Sequence, residues 1–529
     1  MAATGRSFIG FREGADGKTR FRAFNPVTGE ALEPEFQAAS IEEIDLAARL
    51  AGDAFTVYRE LPGAKRAEFL NKIAANIEAV TEPIVERAHL ETALPKARLQ
   101  AETARTCNQL RLFAKVVEEG SWVQARIDRA DPNRKPLPKP DIRSMLRPLG
   151  PVVVFSASNF PLAFSVAGGD TASAFAAGNP VIVKAHSAHP GTSQIVGEAV
   201  RQSVRSCGLP EGTFSLIFGA GNSVGTALVE HPEIKAGGFT GSTHAGRLLM
   251  NLAASRPEPI PFYGELGSTN PVFILPGALR ASGTKIAGDL YGSFTLGAGQ
   301  FCTKPGLIFV SEGQASAPFV DELKGKVSQA DPFALLTKSI AADFSREASG
   351  RKTRGDVRVV AQGAPPSQNP YSAGAVLYQT DMASFLADDE LSEEHFGPST
   401  LLIGYSNKQQ ILDAARKLEG HLTATIHGTE DDLRDFAELV AILENKVGRI
   451  VFNGFPTGVE VCHAMVHGGP YPASTDGRTT SVGTQAIFRF ARPVCFQNFP
   501  DSALPRELQN ANPLGIWRMV DGEMTRQPA

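Results

Sequence analysis

From residue 150 onward, short apolar runs alternate with amphipathic stretches of about a dozen residues. "GPVVVFSAS", "NPVIVKAH", "FSLIFG" and "IKAGGFTGS" read as strands. Between them, "PLAFSVAGGDTASAFAAG", "GTSQIVGEAVRQSVRSCG" and "SVGTALVEHPE" read as helices. Strands without an alternating polar face must be buried on both sides, which implies a parallel sheet covered by helices. A second alternation of the same kind runs from "NPVFILPG" to about residue 450. The fold class is therefore α/β, and ligands are expected beyond the carboxyl ends of the parallel strands.

The 529 residues exceed what one core holds, so two or three packed units are expected. Residues 41 to 118 read as helical, opening with a capping box in which Ser40 precedes Glu43 by three residues. The stretch 121–148 is rich in proline and basic residues and forms either a protruding two-stranded arm or a surface linker. A formal charge of −4, with no long run of one sign, argues against nucleic acid as a partner. The N-terminal "MAATGRSFIGFREG" lacks the apolar core of a leader peptide, and no apolar run is long enough to cross a membrane. Five cysteines at 107, 207, 302, 462 and 495, without CxxC pairs, argue against a zinc site and a disulfide framework. They suit a reducing cytoplasm, and no metal is expected.

Four strand ends carry polar groups. Asn159 in "SASNFP" offers an amide donor for a developing oxyanion, or a turn contact before proline. Lys184 in "VIVKAHSAHP" can hold a ribose hydroxyl or phosphate, or snorkel at a strand end. The neighbouring His186 and Ser187 supply no carboxylate against a ribose 2′-hydroxyl, which leaves room for a 2′-phosphate. "GAGNSVG" is a weak glycine pattern, whereas Gly241 and Ser242 in "FTGSTHAG" sit between a strand and a helix start. Finally, "YGELGSTNP" offers Glu265 and "GQFCTKPG" offers Cys302, 37 residues later. A thiol adds well to a carbonyl carbon, and a glutamate whose pKa is raised toward neutrality can act as its base. Each residue alone has an ordinary structural reading, but together they make a complete catalytic set.

In their order, "SNFP", "VIVKAH", "FTGST", "ELGSTNP", "GQFC", "EEHFGP" and "FNGFPTGVEV" resemble the aldehyde dehydrogenase superfamily over nearly the whole chain. The resemblance implies a Rossmann-like cofactor domain at 1–121 and 149–264, and an α/β catalytic domain at 265–470. It also implies an oligomerisation β-arm at 122–148 and 479–500, serving a homodimer or homotetramer. By the same resemblance Cys302 is the nucleophile, Asn159 and the Cys302 amide form the oxyanion hole, and Glu265 is the base for deacylation. Lys184 holds the adenosine ribose and Gly241–Ser242 the pyrophosphate. Glu394, or Glu393 if the register slips, holds the nicotinamide ribose, with Phe396 beside it. The glycines around Cys302 read as room for the nicotinamide.

"ELGST" in place of the commoner "ELGGK", together with "KAHSAHPGTS", "NGFPTGVEV" and "HGGPYPAST", resembles the branch that oxidises 2,5-dioxopentanoate (α-ketoglutaric semialdehyde) to 2-oxoglutarate. A branch acting with NADP on longer aliphatic aldehydes shares part of the pattern. A cofactor-independent cysteine esterase or thioesterase is the reading from another class. Ser187, where NAD-preferring relatives carry a glutamate, points to NADP, with NAD also possible. Asn222 stands at the expected 2′-phosphate contact, with no arginine clamp nearby. Phe160, Phe164 and Phe455 are expected to line the substrate tunnel, and Arg105 is the first candidate for a substrate carboxylate. His463 in "VEVCHAMVHGG" is either a proton relay near Cys302 or a wall histidine.

Overall fold

The structure, a computed structural model, describes residues 4–529 apart from Asp16 and Lys18. The first three residues of the stretch read for a leader lie outside that range. Among the described residues no helix is long and apolar enough to cross a membrane.

The first sheet places Phe262–Glu265, Ala236–Thr240, Val152–Phe155, Val181–Lys184 and Phe214–Ile217 side by side, all parallel. The N-terminal hairpin Phe8–Ile9 and Arg12–Glu13 adds an antiparallel edge. Every residue of Val152–Phe155 is buried, as expected for a strand covered on both faces. Chain order reverses between Val152–Phe155 and Ala236–Thr240, so a ligand crevice opens at their carboxyl ends. Asn159, Lys184, Gly241, Ser242 and Glu265 all follow or close strands at this one edge.

Four helices, Ile41–Tyr58, Gly63–Glu78, Thr81–Thr92 and Lys96–Glu119, precede this sheet, and the Ser40–Glu43 capping box is formed. The helix expected from "PLAF" onward begins only at Gly169. The buried Glu102 carboxylate accepts the amides of Leu162 and Ala163 at 3.0 Å, which holds this segment in turns instead.

The second sheet runs Arg358–Gln362, Val376–Asp381, Ser399–Tyr405, Leu307–Ser311, Val272–Ile274, His421–His427 and Val447–Phe452. It is parallel except at its first pair. Its amino-terminal edge meets the carboxyl edge of the first sheet, because Cys302 lies just before Leu307–Ser311 and Asn159 Nδ2 donates to Gln300 O at 2.9 Å.

A third sheet joins Ala491–Gln497, Ile142–Pro148, Arg126–Asp128, Arg518–Val520 and Glu523–Thr525. The last two strands come from the C-terminal stretch, for which the sequence alone predicts no element. The late strand begins only at Ala491, after the 3-10 helix Thr484–Phe490. Thr480 and Ser481, read from sequence as the start of the arm, turn inward to the catalytic centre.

Candidate active site

Glu265 is the final residue of its strand and is buried, together with His467. The segment 473–475 closes over this strand end: Leu266 N donates to Ala473 O at 2.8 Å, and Thr475 N to Gly264 O at 3.0 Å. This pairing brings the loop carrying His467 against the glutamate. His467 Nε2 lies 3.0 Å from Glu265 Oε1 and 3.6 Å from the half-buried Cys302 Sγ. Ser481 Oγ donates to Glu265 Oε2 at 2.6 Å. A carboxylate only accepts, so the Glu265 contact places an N–H on His467 Nε2.

Burial pushes the Glu265 carboxyl up, but His467, as charge and donor, and the Ser481 and Cys302 donors outweigh it. Its pKa therefore lies below the ordinary 4.5, the reverse of the sequence expectation, and the base is held ionised. Burial and the facing Glu265 carboxylate, with a smaller contribution from Glu394, raise the Cys302 thiol well above its usual 9.0. The nucleophile rests as a thiol beside a ready acceptor.

The cysteine loop is clamped from several sides. Asn270, at positive φ just before Val272–Ile274, donates through Nδ2 to Cys302 O at 2.8 Å and Lys304 O at 3.0 Å. Gly297, Ala298 and Gly299 all take positive φ. A Cβ on Gly299 would lie 2.2 Å from Gly397 O, so this glycine admits the 397–398 backbone. The space expected for the nicotinamide at Gly299 is filled by the chain itself. Lys304 is buried and donates to His395 O at 2.7 Å and Ser399 O at 3.1 Å, tying the cysteine loop to the Glu394 loop.

Glu393 is exposed, whereas Glu394 is directed inward, where a Cβ on Gly267 would meet its Oε2 at 2.5 Å. Burial raises Glu394 to about 7, tempered by Lys304, and its Oε1 is buried without a partner. Phe396 is half-buried two residues on. Burial lowers Lys184 to about 8. His186 stacks on His189 at 5.5 Å, beside half-buried Ser187. Exposed Asn222 precedes the helix Ser223–Glu230. Ser242 caps Thr243–Ser255 by accepting from Ala245 N at 3.3 Å, with Gly241 exposed before it.

Phe160 and Phe164 pack edge-on at 5.3 Å, and Phe164 lies 6.1 Å from the His467 ring. Arg98 stacks over Phe160 and Phe301 and donates to Asn159 O at 2.9 Å. Arg105 stacks over Phe164 at 5.4 Å and donates to Val459 O at 3.4 Å, leaving Nη1 buried and unpartnered. Phe455 packs on His427 at 4.8 Å, and Val459, Val461 and Met465 pack with the Phe160–Phe164 pair. His463 is exposed and bonds Thr484 at 3.3 Å. The imidazole at the centre is His467, four residues on in the same segment. The Gly468–Gly469 pair after it was the available signal: a Cβ on Gly469 would meet His421 O at 2.2 Å, so the chain packs tightly there. Ser481, Lys304 and Asn270 carried no comparable signal.

The aldehyde dehydrogenase family model matches residues 11–490. The chain is 48% identical over 528 residues to alpha-ketoglutaric semialdehyde dehydrogenase 2 of Azospirillum brasilense, covering 99% of this chain and 100% of that one. It is 44% identical over 523 residues to alpha-ketoglutaric semialdehyde dehydrogenase of Acinetobacter baylyi, covering 99% of each. Among solved structures, a 3,6-anhydro-L-galactose dehydrogenase in complex with NAP superposes with a TM-score of 0.80 at 21% identity, over 93% of this chain and 99% of that one. A Thermus 1-pyrroline-5-carboxylate dehydrogenase with bound NAD gives 0.78 at 20% identity, over 93% and 92%. Sequence match, fold and the Cys302–Glu265 centre agree: the chain is a member of the aldehyde dehydrogenase family, an oxidoreductase that uses a nicotinamide cofactor.

Proposed function

We propose that this enzyme oxidises 2,5-dioxopentanoate to 2-oxoglutarate. Arg105 carries the reading. A half-buried guanidinium held over Phe164, beside the catalytic centre and with Nη1 buried and unpartnered, calls for an anionic group on the substrate. An alkyl tail would leave that donor unsatisfied, which disfavours the longer aliphatic aldehydes. The names carried by the Azospirillum and Acinetobacter relatives support the same substrate.

The crevice fits a nicotinamide dinucleotide: Glu394 Oε1 is a buried acceptor without a partner, and Gly267 admits that side chain where a Cβ would clash. Glu394 and Phe396 would hold its nicotinamide ribose end, Gly241 and Ser242 its pyrophosphate, and Lys184, His186, Ser187 and Asn222 its adenosine ribose. The lack of a carboxylate among the last four supports NADP, with NAD also accepted. Bound there, the cofactor supplies the hydride acceptor. Cys302 forms the C–S bond to the aldehyde carbon, its proton passing to the Glu265–His467 pair. Asn159 spends one N–H on Gln300 O, and its second is assigned to the alkoxide. Once hydride has left, Cys302 carries the acyl group as a thioester. That first proton leaves to solvent, and Glu265 then takes a proton from water, whose attack breaks the C–S bond and releases the acid. The sheet containing Ile142–Pro148 and Ala491–Gln497 is assigned to contact between subunits, in a homodimer or homotetramer. The five free cysteines suit the cytoplasm.

The test is turnover of 2,5-dioxopentanoate, succinic semialdehyde and decanal, each with NAD and NADP. The semialdehydes should turn over faster, and Arg105→Leu should raise their KM at least tenfold while leaving that for decanal within about twofold. Faster oxidation of decanal than of both semialdehydes by the unmodified enzyme would refute the substrate assignment.

A further inference from the structure

Cys302, Glu265 and His467 arrive from three distant segments, yet their ligand-capable atoms all lie within 4.8 Å of one another. Among the described residues this is the one group of three or more such side chains arranged to share a metal ion. The two edges that meet at His467 Nε2 come close to those of tetrahedral coordination. Zinc bonds of about 2.3 Å to sulfur and about 2.05 Å to nitrogen set the S···N edge near 3.6 Å. The observed Sγ···Nε2 separation is 3.6 Å. The N···O edge of such a site is about 3.4 Å, against 3.0 Å between His467 Nε2 and Glu265 Oε1, so a shift of a few tenths of an ångström suffices. His467 and Glu265 are buried, while Cys302 is half-buried and in part accessible.

We propose that a thiophilic divalent cation, zinc foremost, binds Cys302 Sγ, His467 Nε2 and Glu265 as a reversible inhibitory site. One thiolate, one imidazole and one carboxylate favour zinc over magnesium or calcium, which take oxygen ligands. Binding displaces the Cys302 proton to solvent, requires the His467 proton to move from Nε2 to Nδ1, and occupies nucleophile and base together. The bound enzyme is therefore inactive, competition is with the aldehyde, and a chelator restores turnover. The same ion shields the thiol from alkylation and oxidation. This inference stands independently of the substrate assignment, since it requires only the three side chains.

The experiment uses full-length enzyme freed of chelator. Cobalt(II) serves as a spectroscopic probe, and zinc is titrated against a chromophoric chelator. The unmodified enzyme should bind one ion per chain and show a thiolate-to-cobalt charge-transfer band with tetrahedral visible bands. Turnover should fall in step with occupancy and return on adding EDTA, whereas magnesium should do nothing. In Cys302→Ala the charge-transfer band should vanish, and in His467→Gln zinc affinity should fall by more than the roughly 10- to 100-fold that loss of an outer-shell partner costs. Near-ultraviolet circular dichroism checks that both variants are folded, and the cobalt spectrum of the unmodified enzyme needs no variant at all. Absence of the charge-transfer band at saturating cobalt would overturn the proposal. So would equal zinc affinity in all three proteins, which would put the ion on surface thiols such as Cys495.

Discussion

Replacing Glu265 by glutamine should make the resting thiol more acidic, an effect opposite to what loss of a general base suggests. The Glu265 carboxylate faces Cys302 with reactive atoms within 4.8 Å. At an effective dielectric of about 20, one charge at that distance opposes thiolate formation by about 3.5 kcal/mol. That corresponds to about two and a half pH units at 4.8 Å, and solvent at half-exposed Cys302 reduces it to roughly one to two. The assay is iodoacetamide alkylation of cofactor-free enzyme followed against pH. In Glu265→Gln the midpoint should move down by about one to two pH units. Below the midpoint the rate should rise by only about threefold per unit, because the more acidic thiolate is intrinsically a weaker nucleophile. Steady-state oxidation should fall at the same time, leaving a burst of reduced cofactor, since water has lost its base. An unmoved or raised midpoint in folded Glu265→Gln would refute the electrostatic account of the Cys302–Glu265 pair.

Lys304→Met removes the ammonium that holds His395 O and Ser399 O, so the Glu394 loop should lose its register with the cysteine. Dehydrogenase turnover should drop at least tenfold, while hydrolysis of an activated ester at Cys302 stays within about threefold; equal loss of both would mark a general folding defect. Burial sets Lys184 at about 8, below its ordinary 10.5, so its charge is present below that pH and lost as pH rises through it. The kcat/KM for NADP should accordingly decline above about pH 8, and Lys184→Met should lower the plateau and abolish that alkaline limb. The same depression means Lys184 weakens the fold below about pH 8, a penalty that disappears as pH rises toward 10.5. Glu102→Ala strands the amides of Leu162 and Ala163 beside the tunnel and should cost about 2–4 kcal/mol, read as a lower thermal midpoint.

Much of the site was legible because strand ends in a parallel sheet are close in space whatever their separation in sequence. Asn159, Lys184, Gly241, Ser242 and Glu265 could be named from the alternation of strands and helices and the residues that followed each strand. Cys302 could be named only in their company. The sequence leaves Glu393 and Glu394 as alternatives; Glu394 is turned inward beside Gly267 and Glu393 is exposed.

His467, Ser481 and Lys304 belong to a different class, because irregular chain placed them. The segment from 463 to 482 has no period to read, and its position is fixed by backbone pairing with the end of Phe262–Glu265 and by the hydroxyls of Thr480 and Ser481. Local sequence offered two histidines four residues apart, and only the packing of 473–475 on Gly264 and Leu266 buries the second one against Glu265. Electrostatics followed the same division. That Glu265 and Cys302 react together was readable from residue type and order, but the sign of the glutamate's pKa shift was not. It depends on which donors crowd its two oxygens, and His467, Ser481 and Cys302 outweigh burial only because the tertiary fold delivers all three to one carboxylate. Periodicity is local and survives in sequence, whereas a balance of burial against donors from remote segments exists only once the chain is packed.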